Sequence, residues 1–382
     1  PPRSTLFPYT TLFRSSLTVL GNGVTLRVDD NITRGNFGSI TGGGAMHFDA
    51  VGGGAWHGMF GMSDYAGDVT IGSGTQITTL RVNSVADRFL PSALGAGEAV
   101  NFGLAGSSLE TRLEYTGTGH STDRDINLTG AAGTIRIAGN GRGGLVLNGN
   151  ITIMADGNKT LMLHGQNTQN VINGTLQRNG RTLSLTVNPN TGDNDLYGTG
   201  KWTLTNDASD FNGNVIVNVG ALELAGDLGN GSGAFSVLGN LSVARTIDLA
   251  TTNFNGRRFA FTGGGDNLGA AGAPGSNGTI IFNDPNAGTA TLGNNITFTS
   301  SYSSTAGPGN PEIMNNGAKV IVINGNLTSG ATGNRSWILD GSNTGTNTIA
   351  GSISSTETWR SWSRSASGSP AMAGAKCSPK RA

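Results

Sequence analysis

The chain repeats one pattern of short apolar segments and glycine turns at a long, constant offset. Residues 148–168 and 324–344 both contain Asn-Gly-Asn, an Ile or Leu, and Thr, followed by Gly-Asn, an apolar segment and another glycine turn. The offset is 176 residues throughout, from Asn148 to Asn324 and from Gly157 to Gly333. A long repeat of this kind indicates stacked units that complete one another's core.

Alternating segments between glycine-rich turns predict an all-β fold. Val24–Val28 and Leu183–Asn188 alternate apolar with polar residues, which is the period of a half-buried strand. Turns such as Gly139–Gly141 consist of Gly and Asn, which tolerate positive φ. Helical periodicity is confined to Ser84–Ala93, where Pro91 limits a helix to about one turn.

Many short strands are compatible with a sandwich, a barrel or a solenoid. The strand-rich body of about 340 residues is too long for a single sandwich. Asn is frequent at turns, where stacked coils can form ladders of side-chain amides. Two-residue hairpin turns are not dominant. We therefore expect a β-solenoid with coils of roughly 20 residues, on the order of 15 in all.

The two ends differ from the body. Residues 1–15 read as a translated sequencing adapter, and residues 355–382 form a basic tail that holds the single cysteine, Cys377. We expect a frameshift or assembly break near residue 354, the alternative being a genuine, disordered basic tail. The β-solenoid region then comprises residues 16–354, and an export signal is expected to lie outside this fragment.

Composition restricts the function further. Gly accounts for 63 of 382 residues, while charged residues make up only 13%. The formal net charge is zero, but the two ends are basic, which leaves a net charge of −6 on the body. An acidic body argues against nucleic-acid binding. No run of 18 apolar residues occurs, so no membrane-spanning helix is predicted.

One segment carries a family pattern. Residues 198–207 (GTGKWTLTND) and 211–224 (FNGNVIVNVGALEL) resemble the autotransporter-associated β-strand repeat. Tyr65–Ile71 is a weaker match, in which Thr79–Val82 replaces the Gly-x-Leu-x-Leu half. Residues 109–174 resemble the spacer regions of large proteins of this kind. Together these likenesses cover most of residues 60–354.

The resemblance implies a right-handed parallel β-helix in an exported passenger region. Such regions serve as stalks, adhesins or scaffolds at the bacterial outer membrane, so an extracellular or cell-surface location is expected. The family brings no catalytic residues and no cofactor. Partners would be surface glycans or proteins of a host or neighbouring cell, bound by a monomer. A binding role predicts projecting loops, such as residues 42–62 or 263–278.

Histidines and nearby carboxylates do not suggest a metal site. His47 and His57 are ten residues apart, near Asp49 and Asp64, whereas metal ligands converge at tighter spacing. We interpret these side chains as surface polar residues. His164 occupies the position of Asp340 in the second copy of the repeat, which predicts an exposed turn.

Paired carboxylates leave an enzymatic alternative open, because β-helix folds also host polysaccharide lyases and hydrolases. Asp123 and Asp125 are placed to share a strand face, with His120 and Arg124 near, and two carboxylates can cleave glycosides by acid–base chemistry. A solvated loop is the other interpretation. Adjacent residues such as Asp29–Asp30 point to opposite faces and cannot line one groove.

Two glycine-rich segments lack what a ligand site needs. Gly192–Gly198 resembles half of a calcium-binding repeat, but such sites need tandem copies. Gly139–Gly144 is not followed by a predicted helix, so it does not form a phosphate loop. The sequence therefore predicts a non-catalytic protein without metal, cofactor or catalytic residues, with a carbohydrate-active enzyme as the alternative.

Overall fold

The computed structural model contains strands and turns, and no helix, in the part of the chain that it describes. The described residues are 17–19, 25–30, 34–50, 56–72, 76–103, 109–131, 133–187, 200–206, 208–217, 220–226, 235–237, 240–243, 259–261, 279–285, 287–292, 296–298, 312–329 and 338–355. They form two compact units, Pro1–Gly149 and Asn150–Ala382.

The strands of the first unit are short and follow one another closely. They are β1 (Leu17–Val19), β2 (Thr25–Asp30), β3 (Arg34–Phe37), β4 (Ile40–Gly42), β5 (Ala45–Ala50), β6 (Trp56–Met59), β7 (Val69–Ile71), β8 (Thr78–Val82), β9 (Ala99–Phe102), β10 (Thr111–Tyr115), β11 (Thr118–Thr122), β12 (Asp125–Leu128), β13 (Thr134–Gly139) and β14 (Gly143–Leu147).

The second unit has the same character. Its strands are β15 (Ile151–Ile153), β16 (Lys159–His164), β17 (Asn170–Ile172), β18 (Leu176–Gln177), β19 (Leu183–Val187), β20 (Lys201–Leu204), β21 (Val215–Val217), β22 (Ala221–Leu224), β23 (Phe235–Val237), β24 (Asn240–Val243), β25 (Phe259–Phe261), β26 (Thr279–Phe282), β27 (Gly288–Leu292), β28 (Ile296–Phe298), β29 (Glu312–Asn315), β30 (Lys319–Ile323), β31 (Leu327–Ser329), β32 (Ile338–Asp340), β33 (Thr348–Ile349) and β34 (Ile353–Ser355).

All strand pairs described within each unit are parallel. In the first unit one sheet runs β3-β6-β8-β10-β13 and another β2-β5-β7-β9-β12, with β11 beside β14 and β1 beside β4. Strands adjacent in a sheet are separated in sequence by strands of the other sheets, so the chain passes from sheet to sheet and returns in register. All-β class and parallel stacked sheets are therefore confirmed, and both are consistent with a β-solenoid.

The second unit is organised in the same way. One sheet runs β16-β19-β21-β23-β25-β28-β31-β34 and a second runs β17-β20-β22-β24-β26-β29-β32. Two smaller sets complete it, β15 beside β18 and the series β27-β30-β33. Coil length varies: the coil from Leu222 to its partner Leu241 fits the predicted length, and that from Leu241 to Ile280 is about twice as long.

The core consists of aliphatic residues that repeat at one register position. Leu80, Leu113 and Ile137 are aligned on β8, β10 and β13, and all three are buried. Alternate residues of β10, such as Arg112 and Glu114, are only partly buried. Each Å² of apolar surface that is removed from water stabilises the fold by about 25 cal/mol, so these aligned side chains are the main source of stability.

Asparagine side chains join successive coils both within strands and at turns. Asn127 donates to Asn101 at 3.0 Å across the paired strands β12 and β9, so this amide pair lies within the strands rather than at a turn, where the ladder was predicted. In the second unit, Asn150 Oδ1 accepts from the backbone nitrogen of Thr175 and Asn326 Oδ1 accepts from that of Ser352, at 3.0 and 2.8 Å. These bonds satisfy backbone donors that the ladder leaves open where strands end.

The 176-residue repeat preserves local conformation but not position in the sheets. Both copies turn at a glycine in the left-handed region, Gly165 with φ 128° and Gly341 with φ 131°. The equivalent strands β15 and β31 nevertheless differ, since β15 pairs with β18 while β31 lies between β28 and β34. The repeat therefore specifies strand and corner geometry, and the intervening coils decide which sheet each copy joins.

Two sequence predictions are wrong in detail. The sequence predicts that residues 42–62 project as a loop, but the described parts of this range, 42–50 and 56–62, contain β5 and β6, whose backbones pair with neighbouring strands. Residues 51–55 lie outside the described residues. Ser84–Ala93 was the one candidate for a helical turn and forms an irregular loop instead. Residues 263–278 lie outside the described residues.

Close stacking can be tested with two glycines of the first unit. A Cβ at Gly149 would overlap the carbonyl group of Arg124 in the neighbouring coil, whereas a Cβ at Gly133 would meet no atom within 4 Å. Gly149→Ala is expected to destabilise the unit by roughly 1–3 kcal/mol. Gly133→Ala is expected to be neutral or slightly stabilising. The urea midpoint of the circular dichroism signal measures both, and equal midpoints for the two variants would contradict the close contact.

Candidate functional site: an anchored loop with an apolar tip

Residues 83–98, here called the 83–98 loop, connect β8 to β9 in the first unit. A short antiparallel bridge ties the loop to residues 60–66, because Ser63 and Ser92 exchange backbone hydrogen bonds of 2.9 and 3.0 Å. The nitrogen of Ala96 also donates to the carbonyl of Tyr65 at 2.8 Å. Backbone hydrogen bonds thus join the 83–98 loop to residues 60–66, although the loop belongs to no parallel sheet.

The side chain of Arg124 anchors the 83–98 loop by hydrogen bonds to its backbone. Its side chain is buried, and its guanidinium donates to the carbonyls of Leu94 at 2.7 Å, Leu90 at 3.1 Å and Gly95. A guanidinium has five donors in a planar fork, so one side chain can satisfy several carbonyls that no strand partner reaches. Burial lowers the pKa of Arg124 from its ordinary value, and the charges of Tyr65 and nearby carboxylates oppose this shift.

Neighbouring residues reinforce the anchor. Arg88 donates from its backbone nitrogen to Asp123 Oδ1 at 2.7 Å and from Nε to Oδ2 at 3.2 Å. Asp87 Oδ1 accepts from the nitrogen of Asp123 at 2.9 Å, and Thr122 Oγ1 donates to the carbonyl of Ala86 at 2.7 Å. Residues 122–124 therefore hold the loop through both backbone and side-chain atoms.

The tip of the loop exposes large apolar side chains. Phe89 and Leu90 are 68% and 54% exposed, and Met62 and Phe60, on the segment bridged to the loop, are 60% and 39% exposed. Phe89 has φ 66°, a left-handed conformation that costs a non-glycine residue roughly 1–2 kcal/mol. Exposed apolar groups on a rigidly held loop are typical of binding sites.

Asp123 and its neighbours, which the enzymatic alternative would use, make contacts within the fold. Asp123 forms an ion pair with Arg88, and the Arg124 guanidinium donates to the carbonyl of Leu94 in the 83–98 loop. Tyr115 Oη and His120 Nδ1 are hydrogen-bonded at 2.6 Å, and Tyr115 Oη also accepts from the nitrogen of Gly119 at 2.7 Å. Asp125 lies on β12 and is partly buried, so the solvated-loop interpretation is wrong for this residue.

The interpretation of His47 and His57 as surface residues is also wrong. Both side chains are buried, as is Asp49, while Asp64 is exposed. His57 Nε2 donates to the carbonyl of Asp49 at 2.8 Å, and its ring lies 5.8 Å from that of Phe48. In the described part of the chain no three His, Cys, Asp or Glu side chains converge as metal ligands would.

His164 corrects a further prediction. It is buried at the end of β16 rather than exposed in a turn, and its carbonyl accepts from Trp202 Nε1 at 3.0 Å. Asp340, its counterpart in the repeat, is partly buried, and Oδ1 accepts from the nitrogen of Gly341.

Other candidate residues do not add a site. Asp29 and Asp30 are the last residues of β2. Residues 140–142 connect β13 to β14, and the segment that follows is a strand rather than a helix, as the sequence predicts, so residues 139–144 lack the helix of a phosphate loop. Residues 192–198, which resemble half of a calcium repeat, lie outside the described residues.

Comparisons with known proteins leave the site to be interpreted from its own geometry. No family model, no curated protein and no solved structure matches this chain. Among the described residues there is also no helix with the length and hydrophobicity needed to cross a membrane.

Sequence reasoning missed the loop and its anchor. The signal was present at Phe89-Leu90-Pro91, where two large apolar residues and a proline interrupt the alternating pattern. The sequence shows only that Arg124 is charged. Its role depends on the carbonyls of Leu90, Leu94 and Gly95, which the fold brings within hydrogen-bond distance of its guanidinium.

Arg124→Met tests the anchor. The substitution keeps much of the apolar stem but leaves the carbonyls of Leu90, Leu94 and Gly95 without their donor. Each buried carbonyl that is left without a donor costs roughly 1–3 kcal/mol, so amide exchange across the 83–98 loop should accelerate. Arg142→Met, at an exposed arginine of the same unit, is the control. Equal exchange in the two variants would contradict the anchoring role.

The fully buried Tyr65 generates a pH prediction. Burial raises the pKa of its hydroxyl above the ordinary value, and no hydrogen-bond partner of Oη is found among the described residues. Because the folded pKa is raised, this tyrosine's contribution is complete below about pH 10, its unfolded pKa, and is lost as pH rises toward the folded pKa. Tyr65→Phe should therefore reduce alkaline destabilisation while leaving neutral stability unchanged. Urea midpoints at neutral and alkaline pH check this, and an unchanged alkaline slope would contradict it.

Proposed function

We propose that this chain is a non-catalytic, exported surface protein of the passenger type. In this proposal a right-handed parallel β-helix acts as a structural stalk, and the 83–98 loop is its adhesin-like contact site. The observation that carries the proposal is the apolar tip, held in a strained conformation by the buried Arg124. A protein that served only as a spacer would gain nothing from this arrangement.

The parallel sheets support the scaffold part of the proposal. Each strand obtains its backbone partners from the coils before and after it, so loops can lengthen at the corners without interrupting the ladder. The segment that resembles the autotransporter-associated repeat fits such a coil. Its apolar positions Trp202, Phe211, Val215, Val217, Leu222 and Leu224 are all buried.

The non-catalytic part is supported by how the candidate acid–base residues are used. Asp123 is bonded to Arg88, and His120 Nδ1 is occupied by Tyr115 Oη. No observation in the described residues favours a carbohydrate-active enzyme over this interpretation. We propose an extracellular or cell-surface location, with partners on surface glycans or on proteins of neighbouring cells.

Adhesion assays test the contact site directly. Beads coated with the protein should bind target cells, and the double variant Phe89→Ser/Leu90→Ser should bind at least several-fold less, because the apolar contacts are removed. Met154→Ser removes a side chain that is equally exposed, at 60%, but lies in the second unit, and should bind as the parent does.

The assay also separates the two roles of the proposal. If no bead adheres to any cell above background, the adhesive role fails and only the structural role is left. If both variants adhere like the parent, the 83–98 loop is not the contact site.

A further inference from the structure

We infer that the apolar tip binds a cationic, amphipathic segment of a partner protein, in which an apolar side chain is flanked by Lys or Arg. This inference rests on the proposed adhesive function and specifies the chemistry of the partner. It depends on two features of the same surface, a cluster of exposed apolar groups and an excess of carboxylates around it.

The apolar cluster, here called the tip patch, consists of Phe60, Met62, Phe89 and Leu90. All four are exposed, and they come from two segments that the Ser63–Ser92 bridge holds together. Asn83 Nδ2 also donates to the carbonyl of Phe60 at 3.1 Å, which fixes the other end of this segment to the loop. Large apolar side chains on a rigid support can anchor a partner with little loss of conformational entropy.

The acidic rim is formed by carboxylates on these two segments, by Asp68 next to the first of them and by Asp123, which is bonded to the loop. Its members are Asp64, Asp68, Asp87, Glu98 and Asp123. Within the described residues 60–68, 83–98 and 122–124, only Arg88 and the buried Arg124 oppose them, and the Arg88 side chain lies 3.2 Å from that of Asp123 and 3.8 Å from that of Glu98. Asp64 is exposed and the Glu98 side chain is 64% exposed. A partner that covers the tip patch therefore meets a net negative potential and is favoured if it is basic.

Other partner chemistries fit this surface less well. Anionic lipid headgroups would be repelled by the rim, since peripheral membrane binding relies on Lys and Arg clusters. A glycan would need hydroxyl and amide donors, but two such donors of the loop are used internally: Ser92 Oγ donates to the carbonyl of Gly95, and Asn83 Nδ2 donates to the carbonyl of Phe60.

Fluorescence titration with synthetic peptides tests the inference. The probe is a short peptide with Phe between Lys residues, compared with the same peptide carrying Glu in place of Lys and with one carrying Ser in place of Phe. The Lys-Phe peptide should bind, and each changed peptide should bind about tenfold more weakly. Raising the salt concentration should weaken the Lys-Phe complex, because exposed charges are screened.

Variants of the full chain locate the binding surface. Phe89→Ser should weaken binding of the Lys-Phe peptide by about tenfold. Asp64→Asn/Glu98→Gln should weaken it by about fivefold and flatten its salt dependence. Asp156→Asn, which neutralises a carboxylate that is 95% exposed in the second unit, should leave binding unchanged.

The outcomes distinguish this inference from the proposed function. If cells adhere through Phe89 and Leu90 but all three peptides bind equally or not at all, the partner chemistry is wrong and the adhesive function stands. Selective binding of neutral glycans or of anionic vesicles would likewise overturn the cationic partner. If adhesion is unaffected by the tip variants and no peptide binds, both proposals fail.

Discussion

Backbone pairing between successive coils is the constraint on which the rest of this structure depends. A parallel strand can satisfy its N–H and C=O groups only if another strand lies beside it in register. Each short strand here obtains those partners from coils that are distant in sequence, as Leu113 does from Leu80 and Ile137. Side chains at one register position must then stack on themselves, which explains the aligned aliphatic residues and the paired Asn101 and Asn127.

Close stacking in turn explains the glycine and asparagine content. At corners such as Gly149 the neighbouring backbone approaches so closely that a side chain would overlap it. Asparagine at Asn150 and Asn326 supplies an acceptor for a backbone nitrogen one coil later, where the ladder ends. In the described residues, glycine and asparagine at these positions are therefore a consequence of repeated tight corners.

A loop can leave such a stack only if something else satisfies its backbone groups. In the 83–98 loop, Arg124 replaces a neighbouring strand as hydrogen-bond donor to three carbonyls. The cost of burying its charge is offset by those bonds and by carboxylates nearby. The loop held in this way carries Phe89, which has a left-handed conformation and a side chain that is 68% exposed.

The sequence by itself determined the all-β class, the period-two burial and the glycine–asparagine corners, because these depend on neighbouring residues. It did not determine which sheet each strand joins, since that depends on coil lengths that vary; the equivalent strands β15 and β31 lie in different sheets. Burial of His57 and His164 was decided by the coils packed against them. Only the tertiary structure brought Arg124 into hydrogen-bond contact with a loop some thirty residues away, because a local sequence pattern does not indicate contacts between coils.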